Sequence, residues 1–101
     1  MLIYNVTINI EEAVHQDWLT WMKETHIPDV LKTGCFTDYR LLHLLTPLPE
    51  TKGPTYAIQY FCESQALLNK YQSLFAPTLQ QEHLQRFPNK FVAFRTILEE
   101  V

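Results

Sequence analysis

The hydrophobic period of this chain changes from two residues to about four and back, twice over. That order of periods leaves few folds open. "LIYNVTINI", residues 2–10, alternates, with Leu2, Tyr4, Val6, Ile8 and Ile10 on one side and Ile3, Asn5, Thr7 and Asn9 on the other. It reads as a strand with one oily face. From about residue 12 the spacing turns helical, with Val14, Trp18, Trp21, Met22 and Thr25 recurring at i+3 and i+4. Gly34 is placed to close that helix. "CFTDYRLLHLL" is a second strand, "TPLPETKGP" a proline-rich turn, and "TYAIQYF" a third strand. Ser64 is a helix N-cap ahead of "QALLNKYQSLF", and "FAPTLQQEHLQRF" restarts the helix with Pro77 in its first turn. "KFVAFRTIL" is the fourth strand. The order β-α-β-β-α-β predicts a ferredoxin-like α+β domain over residues 1–101, an antiparallel sheet in strand order 4-1-3-2 with both helices on one face.

Composition limits the partners. A chain of 101 residues, 47% hydrophobic and 13% aromatic, can bury a small core, and chains of this size often gain stability by pairing. A net charge of −3 argues against nucleic acid and anionic membranes. No apolar run approaches the roughly 20 residues of a spanning helix, and the start of the chain alternates like a strand rather than a leader. These features place the protein in the cytoplasm, with Cys35 and Cys62 as packed free thiols, although a cross-strand disulfide is geometrically open to them. Neither a metal nor a cofactor is expected: two cysteines without a histidine at ligand spacing make no zinc site. Aromatics on the third strand invite the RNA-recognition motif, but Lys52-Gly53 is followed by Pro54 and Thr55, and Ile58 stands where an aromatic should.

The sheet face away from the helices is the most informative part. Alternation assigns Tyr4, Val6, Ile8, Tyr39, Leu41, Tyr56, Ile58, Tyr60, Val92 and Phe94 to the helix side. The other face then holds Ile3, Asn5, Thr7, Asn9, Phe36, Asp38, Arg40, Leu42, Leu44, Ala57, Gln59, Phe61, Phe91, Ala93, Arg95 and Ile97. That mixture is too oily for water and too polar for an ordinary core. It predicts a homodimer paired through the sheet face, with Asn5, Gln59, Arg95, Asp38 and Arg40 meeting one another across it.

For a site, His26 stands out. Pro28 removes the N–H that would bond the Glu24 carbonyl, so a kink costing about 3 kcal/mol is expected near His26. His26 then either enters the helix–sheet cleft as an acid or base near neutral pH, or packs with a nitrogen on a freed carbonyl. His15 lies roughly 16 Å away along the axis, too far to share a metal. Tyr4, Tyr56 and Tyr60 are walls of an aromatic pocket or plain core, with Asn5, Gln59 and Arg95 as polar groups for a ligand. Arg95 binds an anion or pairs with Asp38 across the dimer. His83, with Leu79 and Phe87 at i±4, reads as a border residue.

"YNVTINI", "WMKETHIPDVL", "TYAIQYF" and "RFPNKFVAFRTILEEV" resemble a small bacterial family known only as a domain of unknown function. The resemblance spans the chain, and His-Ile-Pro and Phe-Arg-Thr are its most specific parts. The architecture is similar to the dimeric α/β-barrel superfamily. That group includes cofactor-independent monooxygenases of antibiotic biosynthesis, haem-degrading monooxygenases, muconolactone isomerases and YciI-like proteins. The resemblance implies a dimer and a small, flat organic ligand in the helix–sheet cleft of each subunit. The alternative is a monooxygenase- or isomerase-like enzyme with His26 as acid or base. No member's catalytic set maps onto this chain residue by residue, because one fold hosts many chemistries.

Overall fold

The structure, a computed structural model, describes residues 1–46 and 48–101. Strand β1 (Leu2–Ile10) leads through a short 3-10 turn into helix α1 (His15–Trp21), a π turn (Met22–His26) and helix α2 (Ile27–Lys32). Strands β2 (Asp38–Leu44) and β3 (Thr55–Cys62) follow. Helices α3 (Gln65–Leu74) and α4 (Ala76–Arg86) and strand β4 (Phe91–Glu99) complete the chain. All pairings are antiparallel in the order β2-β3-β1-β4, the arrangement expected from the periods. In the turn expected over 46–54, Pro47 lies outside the described residues.

The punctuation residues act as their chemistry dictates. The Ser64 side chain accepts the Leu67 N–H at 3.2 Å, and Pro77 sits in the first turn of α4. Gly34 ends α2 at φ +76°, a conformation that disfavours a side chain. Pro28 yields a π turn rather than a simple break: the Ile27 N–H reaches the Met22 carbonyl, and Pro28 falls in the first turn of α2. The missing N–H is thus absorbed by one wide turn that ends on His26.

Register corrects one strand and one residue. Val6 pairs with Arg95 and Ile8 with Ala93, so Phe91, Ala93, Arg95 and Ile97 face the helices. Val92, Phe94, Thr96 and Leu98 face outward, the reverse of the expected phase, with Val92 71% and Phe94 58% exposed. Both alternating sets of "FVAFRTIL" are apolar, so the pattern alone did not fix the side, and the one charge pointed the wrong way. Phe36 is also on the helix side. Strand β2 starts at Asp38, and Phe36 turns in to pack on Tyr60 at 5.2 Å and Tyr71 at 4.8 Å.

Four cross-strand rows therefore make the outer face. Asp38, Phe61, Ile3 and Leu98 form one, and Arg40, Gln59, Asn5 and Thr96 a polar second. Leu42, Ala57, Thr7 and Phe94 form the third, and Leu44, Thr55, Asn9 and Val92 the fourth. Asn5 does not await a partner, because its amide donates to Thr7 Oγ1 at 3.1 Å and Thr96 Oγ1 at 3.2 Å. The Arg40 guanidinium lies 5.6 Å above the Phe61 ring. On the inner face Tyr4, Val6, Ile8, Ile58 and Tyr60 meet Trp18, Met22, Val30, Leu68 and Tyr71 in the core.

Candidate functional site

Two wide side chains set the floor of the helix–sheet cleft. His26 closes the π turn, His83 sits in the last turn of α4, and their ring centres are 5.5 Å apart. Trp21 packs on both, at 5.1 Å and 5.5 Å. His83 is 2% exposed, not the border residue expected, and stacks on Phe91 at 3.8 Å. Its flanking Leu79 and Phe87 are buried too, so the i±4 spacing did carry the signal. The indole N–H of Trp18 donates to His83 Nε2 at 3.0 Å. An indole only donates, so this His83 nitrogen holds a lone pair and the proton resides on Nδ1.

His26 has no such partner. Among the described residues its Nδ1 is the one buried side-chain polar atom without a hydrogen bond. It does not cap a freed carbonyl. Burial is the main reason that its pKa falls to about 4; nearby Asp29 pulls it up and Arg95 pulls it down. His83 falls to about 3, again through burial first, then through His26 and Arg95. Both rings are neutral at neutral pH, so neither serves as an acid there, and burial leaves both weak as bases.

Around them lies an inner chamber lined by Tyr4, Val6, Ile8, Met22, His26, Ile58, Tyr60, Tyr71, Leu79, Gln80, His83 and Arg95. The space open to the centre of a water-sized sphere is about 20 Å³, room for a single water. Tyr4, Gln80 and Arg95 also line an outer vestibule with Gln72, Ala76, Pro77 and Ile97, of about 300 Å³. These three shared residues are the neck between the two spaces. Burial raises the Tyr4 pKa, and the Arg95 charge and Gln80 beside it work against that rise. Burial likewise raises Tyr60 and Tyr71, so all three phenols keep their protons.

The expected site residues divide. His26, Tyr4, Tyr60 and Arg95 come together, joined by His83 and Gln80, which sequence reasoning did not include. Asn5 and Gln59 point to the outer face and do not reach the cleft. Tyr56 faces the helices at the other end, its hydroxyl 2.6 Å from His15 Nε2, its ring stacked on His43 at 4.9 Å. There it borders an open groove with Leu19, Lys23, Tyr39, Arg40 and Leu41. Among the described residues no three His, Cys, Asp or Glu side chains come together to hold a metal. No helix among them is long and apolar enough to cross a membrane.

Sheet order, helices on one face and a cleft between them define a ferredoxin-like α+β protein, as the structural comparisons agree. A dimeric ferredoxin-like protein from an uncultured marine organism has a TM-score of 0.72 at 15% identity, covering 100% of this chain and 95% of the other. An antibiotic biosynthesis monooxygenase scores 0.62 at 13% identity, covering 100% and 99%. The hydroxynitrile lyase of Passiflora edulis scores 0.61 at 20% identity, covering 99% and 95%. At such identities the likeness concerns the fold. No curated protein matches the sequence. Over residues 1–101 the chain belongs to the family described as domain of unknown function DUF4286.

Proposed function

We propose that this protein is a homodimeric α/β barrel, one domain per chain, that binds a small, flat organic molecule in each helix–sheet cleft. The observation that carries the ligand reading is that His26, whose buried Nδ1 has no hydrogen-bond partner, belongs to the lining of a chamber whose neck is polar. A buried nitrogen left without a partner costs about 1–3 kcal/mol, which a ligand hydrogen bond or a bound water would offset. The inner chamber is too small for a ring, so the ligand body sits in the vestibule and only a small group or a water reaches His26. Pairing through the outer face would cover Leu42, Leu44, Val92, Phe94 and Leu98, all at least 40% exposed in the single chain. The kinship in fold to a protein described as dimeric supports it. Two buried free cysteines fit a cytoplasmic protein.

A second reading, a monooxygenase- or isomerase-like enzyme, rests on the same nitrogen. A neutral imidazole is the form a general base needs, and a bound anion that offset the Arg95 charge would raise its basicity from the low value that burial imposes. Two of the structural neighbours are a monooxygenase and a lyase. His26→Ala tests both readings in a thermal-shift panel of flat aromatic compounds. The expected result is a melting temperature within a few degrees of the parent and loss of the ligand-induced rise. A melting point that drops while compounds still bind as before would make His26 a packing residue and remove the ligand reading's main support.

A further inference from the structure

Arg95 brings a full charge to a place where no carboxylate among the described residues answers it. Its cross-strand partner is Val6, and the same inner row continues to Ile58 and Leu41. It is exposed at the neck and lines both the inner chamber and the vestibule. Neither space is lined by an aspartate or glutamate, and among the described residues no carboxylate lies within 4.0 Å of the Arg95 guanidinium. The neighbours of Arg95 are instead neutral: the phenol of Tyr4, the amides of Gln72 and Gln80, and the two uncharged histidines. The rest of the vestibule is apolar, with Ala76, Pro77 and Ile97.

From this juxtaposition we infer that the cleft takes a monoanion, a carboxylate on a flat apolar body. Its charge would lie on Arg95, its oxygens within reach of the Tyr4 hydroxyl and the Gln80 amide, and its body against Ala76, Pro77 and Ile97. The inference rests on the cleft reading proposed above and narrows it to a chemical class. A guanidinium is suited to this because its planar fork matches a carboxylate and its charge is permanent. The field of Arg95 already reaches the floor, where it adds to the burial that keeps His26 and His83 uncharged. A bound carboxylate would cancel much of that field.

The test compares benzoate with benzamide, its neutral isostere, at pH 7.5, by amide chemical shifts around Gln80 and by the combined fluorescence of Trp18 and Trp21. The expected result is that benzoate binds the parent protein roughly tenfold or more tighter than benzamide. Arg95→Gln should reduce benzoate to the level of benzamide, and Arg95→Lys should restore part of the difference. Equal binding of both probes in the cleft, unchanged by Arg95→Gln, would overturn the carboxylate class and leave the cleft reading standing. Binding of neither probe at the cleft would overturn both. Unchanged circular dichroism of the variants separates either outcome from misfolding.

Discussion

Lowering the pH from 7.5 to 5 at fixed protein concentration should cost the folded protein about 4 kcal/mol. The sign follows from the two cleft histidines. Their folded pKa values are about 4 for His26 and about 3 for His83, below the ordinary value of 6.5. Between those limits the unfolded chain binds protons that the folded one does not, so stability falls as pH falls through 6.5 toward 4. At pH 5 each histidine contributes about 2 kcal/mol to the loss. A protonated His83 also has no lone pair for the Trp18 indole, so the buried hydrogen bond breaks with it. Urea midpoints at pH 7.5, 6 and 5 measure the effect, and His26→Gln should remove about half of the slope. A flat profile over that range would mean that both rings are solvated in solution.

Gly53→Ala should be nearly as damaging, at about 3 kcal/mol, because the added carbon has nowhere to go. Built onto the Gly53 backbone, a Cβ falls inside contact distance of the Ile10 carbonyl oxygen and 2.7 Å from the Glu12 nitrogen. These are backbone atoms in a fixed junction. The Ile10 N–H bonds the Pro54 carbonyl at 3.0 Å, the Glu12 N–H bonds the Lys52 carbonyl at 3.2 Å, and the Asn9 amide holds the Gly53 carbonyl at 2.7 Å. The β2–β3 connection thus fastens the end of β1 where it enters the first helix. Chemical denaturation of Gly53→Ala checks it, and a midpoint equal to the parent's would show that this junction yields easily.

The residues that sequence patterns place well are those with one-sided alternation or unambiguous punctuation. Tyr4, Val6 and Ile8 oppose Asn5, Thr7 and Asn9, so β1 has a definite oily face, and β3 follows it by register. Gly34 and Ser64 mark helix ends through backbone chemistry alone. Strand β4 lacks that asymmetry: Val92 and Phe94 are as apolar as Phe91 and Ile97. Oily residues stand on both sides of β4, so polarity stops reporting burial there. His26 was visible because Pro28 disturbs the helix beside it. His83 and Gln80 lie on α4 without any local irregularity, and only the packing of α4 on the sheet brings them to His26. Gly53 reads in the sequence as a turn residue, while its need for close backbone approach depends on a strand more than forty residues away.

In the proposed dimer β4 presents Phe94 to a second copy of the chain and Arg95 to the cleft. Sedimentation equilibrium on Phe94→Asp and Arg95→Asp separates these adjacent residues. The parent protein should sediment at about 24 kDa, twice the 11.9 kDa of one chain. Phe94→Asp should fall to a single chain with its secondary structure kept, because a carboxylate would lie on the pairing face. Arg95→Asp should stay a dimer. A parent that sediments as one chain at micromolar concentration, or an Arg95→Asp that separates while Phe94→Asp does not, would contradict the assignment of the two faces.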